Sequence, residues 1–213
     1  MRNQFDKQLD VMHASLVEMG QLCETAIEAA LAAVETGDGE LARQAVEADS
    51  HIDEKEREIE SMCLQLLLQQ QPVARDLRTI SAALKMISDL ERIGDQSTDI
   101  AEISRHISRH HTENYELLHA MATAASAMVR GAVTSFVDRD EALAQKTIGD
   151  DDAVDQLFLT VKRQLIERVV ADSADGEYYL DLLMIAKYLE RIADHATNVA
   201  EWVLFSITGS REG

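Results

Sequence analysis

Acidic side chains spaced four apart are the residues of this chain best suited to chemistry. Glu91, Asp95 and Asp99 stand in "ERIGDQSTD", and Glu190, Asp194 and Asn198 take the same places in "ERIADHATN". The two segments lie 99 positions apart, and seven of the twelve residues that begin at Glu91 and at Glu190 are identical. A helix turns by about 100° per residue, so each row shares one helix face. A second set sits earlier in each half: Asp49 and Asp53, followed by Glu56 and Glu60, and then Asp151 and Asp155, with Phe158 where Glu56 aligns. Crowded carboxylates repel one another and resist desolvation unless a cation neutralises them. Hard oxygen donors from neighbouring helices suit iron, manganese, magnesium or calcium, and zinc less well. A merely solvated acidic face is the competing reading. The duplication, the matched second row and the alignment with an apolar stripe favour metal. Asn198 and Phe158 predict a weaker second site.

Other candidates carry less. Arg92 and Arg191 follow the two glutamates and read as partners in ion pairs within a helical turn. His106 and His110 are four apart but have no carboxylates beside them, so a basic helix end is the simpler reading. His195 reads as a polar edge residue. Cys23 and Cys63 fall in apolar helical pattern and read as buried small hydrophobes of a reducing compartment. No nucleophile–base pair or glycine-rich phosphate loop is present, so a non-catalytic protein is expected. The alternative is a carboxylate-bridged metal store or ferritin-like metalloenzyme. That architecture asks for paired Glu-x-x-His motifs, and the one clear instance, Glu116–His119, lies outside both acidic rows.

The elements that hold these rows are helical. The chain has 213 residues, 46% hydrophobic but only 4% aromatic, with one Pro and nine Gly. That composition favours helices packed through aliphatic side chains over a β fold. A net charge of −19 repels nucleic acid and anionic lipid, so neither is an expected partner. The opening "MRNQFDKQLD" lacks the apolar core expected of a signal peptide, and no run approaches the roughly 18 uncharged apolar residues of a spanning helix. A cytoplasmic protein that meets membranes only through partners is expected.

Phe5, Leu9, Met12, Leu16, Met19 and Cys23 recur at three and four, marking the first helix; "TGDG" (Thr36–Gly39) ends it. Ala45, Ala48, Ile52, Ile59 and Leu66 carry the second, which stops before Pro72. Leu77, Ile80, Leu84 and Ile87 lead the third into the first acidic row. Leu118, Met121, Ala125, Met128 and Ala132 begin a fourth helix that turns at Asp138–Asp140. Val154, Val161 and Leu165 mark a fifth, and Leu182, Leu183 and Leu189 a sixth. The sequence therefore predicts an all-α protein: two tandem three-helix bundles with an internal pseudo-twofold repeat, residues 1–108 and 115–213.

"QQPVARDLRTISAALKMISDLERIGDQSTDIAE" together with "YLERIADHATNVAE" resembles the PhoU family, over nearly the whole chain. The resemblance implies two repeats of three antiparallel helices. It also implies an accessory protein of the high-affinity phosphate ABC transporter, a negative regulator of phosphate uptake and of phosphate-starvation two-component signalling. Its implied partners are the transporter ATPase subunit and the phosphate-sensing histidine kinase, and some relatives form homodimers. Family members can carry multinuclear metal clusters on their acidic faces. By motif these map to Glu91, Asp95 and Asp99, to Glu190, Asp194 and Asn198, and to Asp49, Asp53, Asp151 and Asp155.

Overall fold

A computed structural model describes residues 2–70, 72, 74–107, 115–171 and 174–210. Six helices follow in order: α1 (Arg2–Thr36), α2 (Gly39–Gln70), α3 (Ala74–Ser104), α4 (Glu116–Asp138), α5 (Glu141–Ala171) and α6 (Gly176–Thr208). No strand occurs among the described residues. The first turn of each repeat has a local cause. Gly37 takes φ +64 and donates its N–H to Ala33, closing α1. The Asp38 carboxylate then accepts the Glu40 N–H at 2.8 Å and caps α2. In the second repeat Asp140 caps α5 the same way, accepting the Leu143 N–H at 3.0 Å. The residue ending α4 there is Arg139, at φ 56.

α1, α2 and α3 pack as one bundle and α4, α5 and α6 as the other. The two are not beads on a string: α3 lies along α6 and α1 along α4, so one contiguous core runs through both repeats. The predicted apolar positions hold, with Met12, Leu16, Met19, Ile52, Ile59, Met121, Ala125 and Val154 all fully buried. Leu77 departs from the expectation and is 44% exposed; the buried stripe of α3 runs instead through Ile80, Ala83, Leu90, Ile93, Ser97 and Ile100. Among the described residues α4 alone is long and apolar enough to cross a membrane. Its most apolar window is 56% buried within the bundle, so its composition is that of a core helix. Cys23 and Cys63 are free and fully buried, as expected. Burial pushes both thiols up, Cys63 to about 12, which makes them poor nucleophiles.

Candidate metal centre

The acidic rows of α2 and α3 face each other at the rim of the first bundle. They flank the buried stripe of α3 rather than prolong it: Gly94, Ser97 and Ile100 go inward while Glu91, Asp95 and Asp99 stay half-buried. Burial raises the Asp49 carboxyl above its ordinary range, and Asp53, Asp95 and Asp99 raise it further. Glu91 is raised by burial, then by Asp95, with Arg92 opposing and Glu56 and Asp53 adding. Glu56 and Asp99 are raised in the same way, burial first. The carboxylates of α2 and α3 thus lie near enough to repel one another across the helix pair.

The second repeat reproduces the arrangement in part. Asp151 is pushed up to about 6, by burial and then by Asp194, Asp155 and Glu190. Asp194 is raised by burial and by Glu190, with Lys187 opposing. Lys187 hydrogen-bonds Glu190 and lies 5.5 Å above the Phe158 ring, the residue that replaces Glu56. This repeat therefore holds a cation of its own. In the first repeat Arg92 bridges Asp95 at 2.9 Å and Glu91 at 3.5 Å from the exposed side. Asn198 does not join the second row: its Nδ2 donates to Asp89 of α3 at 3.2 Å. His195 Nδ1 meets the same Asp89 oxygen at 3.0 Å. Across that seam Arg191 and Tyr188 of α6 approach Asp99. His119 lies 3.3 Å from Glu35 of α1, away from both rows. Of the His106–His110 pair, His110 lies outside the described residues.

Whether a cation fits is answered by two oxygens. Asp49 Oδ1 and Asp151 Oδ1 occupy equivalent positions in the two repeats, and both are buried without a hydrogen-bond partner. Thr98 lies beside Asp49 and favours its charged form, but its hydroxyl also lacks a partner of acceptable geometry. A buried carboxylate oxygen with no donor is costly, and a hard cation satisfies it. Gly94 makes this approach possible. A Cβ built there would fall 2.3 Å from Asp49 Oδ1 and 3.0 Å from Ile52 Cδ1. As the side chains stand, no three His, Cys, Asp or Glu among the described residues already form a metal site. The donor set fits a hard metal, and its grasp requires the flanking carboxylates to turn inward.

The fold and the rows define a class of tandem helical-repeat protein that presents paired acidic helix faces, one pair per repeat. A family model described as PhoU domain matches residues 16–104 and 118–203. The chain belongs to the PhoU family. It is 32% identical over 213 residues to a "Phosphate-specific transport system accessory protein PhoU homolog" of Clostridium acetobutylicum, covering 99% of this chain and 97% of that protein. A homolog of the same description from Zymomonas mobilis is 36% identical over 211 residues, 97% of this chain and 88% of that one. The crystal structure of PhoU from Pseudomonas aeruginosa superposes with a TM-score of 0.91 at 31% identity, covering 97% of this chain and 100% of that chain. The phosphate transport system regulatory protein PhoU from Streptococcus pneumoniae gives 0.90 at 27% identity, covering 98% and 99%.

Proposed function

We propose that the protein is a non-catalytic accessory and regulatory subunit of a phosphate-specific ABC transporter. In this reading it is cytoplasmic, restrains phosphate uptake and damps phosphate-starvation signalling. It does so by docking the transporter ATPase subunit and the phosphate-sensing histidine kinase. The observation that carries the reading is the near full-length likeness to proteins named for that transport system. A charge of −19 complements basic surfaces on such partners. Co-precipitation with the ATPase and with the kinase is the test; no capture of either, with and without metal, would sink it.

Metal belongs to the same proposal. Asp49, Asp53, Glu91, Asp95 and Asp99 would hold iron, manganese, magnesium or, less well, zinc in the first repeat, and Asp151, Asp155, Glu190 and Asp194 in the second. Bound metal supplies positive charge that neutralises the rows and offers vacant coordination positions to a partner's acidic or phosphate groups. The first repeat should bind more tightly, because Asn198 is engaged by Asp89 and Lys187 competes for Glu190. Gly94→Ala isolates the geometry. Alanine normally stabilises a helix interior by about 0.5–1 kcal/mol over glycine, but here its methyl displaces Asp49. Stability is expected to change by less than about 1 kcal/mol while calorimetric metal affinity in the first repeat falls. An unchanged titration would argue against Asp49 as a ligand. We also propose a homodimer, with Leu159, Ile166, Val170, Leu180 and Met184 exposed on α5 and α6 as surface for a second copy to cover. Sedimentation of Ile166→Glu beside the parent tests this; a dimer that survives places the contact elsewhere.

A further inference from the structure

Opposite in sign to the acidic rows is a cluster of arginines at one end of the α3–α6 pair. Arg75 and Arg78 stand in the first turns of α3, and Arg139 closes α4 beside them. Arg139 is raised in energy by three circumstances at once. It is half-buried, it is repelled by Arg75 and Arg78, and it holds φ 56, the left-handed region that side chains with a Cβ avoid. The equivalent residue of the first repeat is Gly37, at φ 64. One repeat thus uses glycine for this turn and the other places a guanidinium there. Burial and the two arginines also lower the affinity of Arg139 for its own proton, with Asp76 the one acid opposing.

The surroundings do not satisfy the cluster. Arg78 Nε is buried with no hydrogen-bond partner, and so is Nε2 of His13, which also feels the charge of Arg139. His13 packs edge-on against Phe136, 5.4 Å between ring centroids, one turn before Arg139. The end of α6 closes the wall behind Arg78: a Cβ built on Gly209 would lie 3.4 Å from Arg78 Nε. Among the described residues none of the three arginines makes an ion pair within 4.0 Å. Asp76 opposes the repulsion at Arg139 and Asp10 acts on His13; Asp138 and Asp140 flank Arg139 in sequence, and Asp140 is engaged in capping α5. Guanidinium forks match tetrahedral oxyanions through paired charge-assisted hydrogen bonds.

We propose that Arg75, Arg78 and Arg139, with His13 beside them, form a binding site for an oxyanion of the phosphate class. A bound dianion removes the repulsion among the arginines and offsets the strained turn. The site is separate from the acidic rows, and the inference does not rest on their holding metal or on the transport assignment.

The test is thermal unfolding of the parent, Arg139→Gly and Arg78→Gln in inorganic phosphate against chloride at matched ionic strength, with phosphorus NMR to follow binding. AMP runs as a second arm, to separate free phosphate from a phosphate monoester, and protein with and without chelator treatment runs throughout. The parent is expected to gain stability saturably in phosphate or AMP, more than in chloride, before and after chelation. Arg139→Gly is expected to be at least as stable as the parent in chloride, because it restores the residue used at Gly37, yet to bind at least about tenfold more weakly. Arg78→Gln should lose a similar factor. The proposal is overturned if the parent responds equally to chloride, if the gain vanishes with chelation, or if Arg139→Gly keeps the full phosphate response.

Discussion

Metal-free protein is expected to lose stability as the pH rises from about 4 to about 6, and added manganese or ferric iron to restore it at pH 7. Asp151 sets the sign. Its carboxyl titrates near 6 in the folded chain against an ordinary 3.8. Between those values the folded state holds the extra proton, so stability falls with rising pH and the full penalty is present above about 6. In an enclosed site that shift corresponds to roughly 3 kcal/mol; at this half-open position solvent screening leaves about 1 kcal/mol. Asp49, Glu56, Glu91, Asp99 and Asp194 are displaced in the same direction and add to the slope. His13 opposes it: burial lowers its pKa, so its contribution is lost as the pH falls below 6.5. Metal that binds only the folded state at about a hundred times its Kd adds about 2.7 kcal/mol. That gain shrinks toward pH 5, where protons compete for the same oxygens. Asp151→Asn is expected to raise metal-free stability at pH 7 by about 1 kcal/mol and to remove the metal response of its repeat. Chemical unfolding at several pH values, with and without metal, decides the matter. A flat profile together with no metal response would remove both the repulsion and the site.

Leu90→Ala is expected to cost about 2–5 kcal/mol and to weaken both repeats together. Leu90 is fully buried in α3, and the Cys23 thiol reaches its carbonyl at 3.4 Å. Truncation there opens a cavity that the neighbouring helices fill only in part. The single Trp of the chain, Trp202, lies in α6 of the other repeat, and so reports on the half that is not mutated. If the shared core makes one cooperative unit, its fluorescence midpoint moves as far as the helical circular dichroism signal. A Trp202 transition that stays in place while the dichroism splits in two would mean that the repeats unfold independently.

Much of this architecture is written in local pattern. The apolar periods marked six helices because each has one inward face, and the Gly37 and Pro72 regions marked turns because those residues restrict or free the backbone. Convergence of the acidic rows was legible because spacing fixes helical phase. Helical phase alone, however, left the rows on a line with the core; the structure moves them to its edge, since Gly94 and Ser97 take the inward positions. What neighbours what across α3 and α6 was not legible, because it depends on how two distant helices slide against each other. Asn198 therefore read as a weakened ligand when its amide is directed at Asp89. The arginine cluster was hidden for a similar reason: Arg75 and Arg139 are far apart in sequence, and the left-handed turn is visible only by comparing Arg139 with Gly37.

The seam between α3 and α6 bears on ancestry. By the 99-residue offset, Asp89 corresponds to Tyr188 and Asp99 to Asn198. Asp89 faces Asn198, and Tyr188 faces Asp99. A single-repeat ancestor, associating with itself through the same two-fold arrangement, would have had one residue type at each of these places in both copies. With aspartate at both, carboxylate would have opposed carboxylate twice. Two repeats in one gene are free to differ, and here each facing pair carries a single acid, on the α3 side both times. The mismatch between the halves thus avoids the carboxylate-on-carboxylate opposition that a symmetric pair with aspartate at both places would carry.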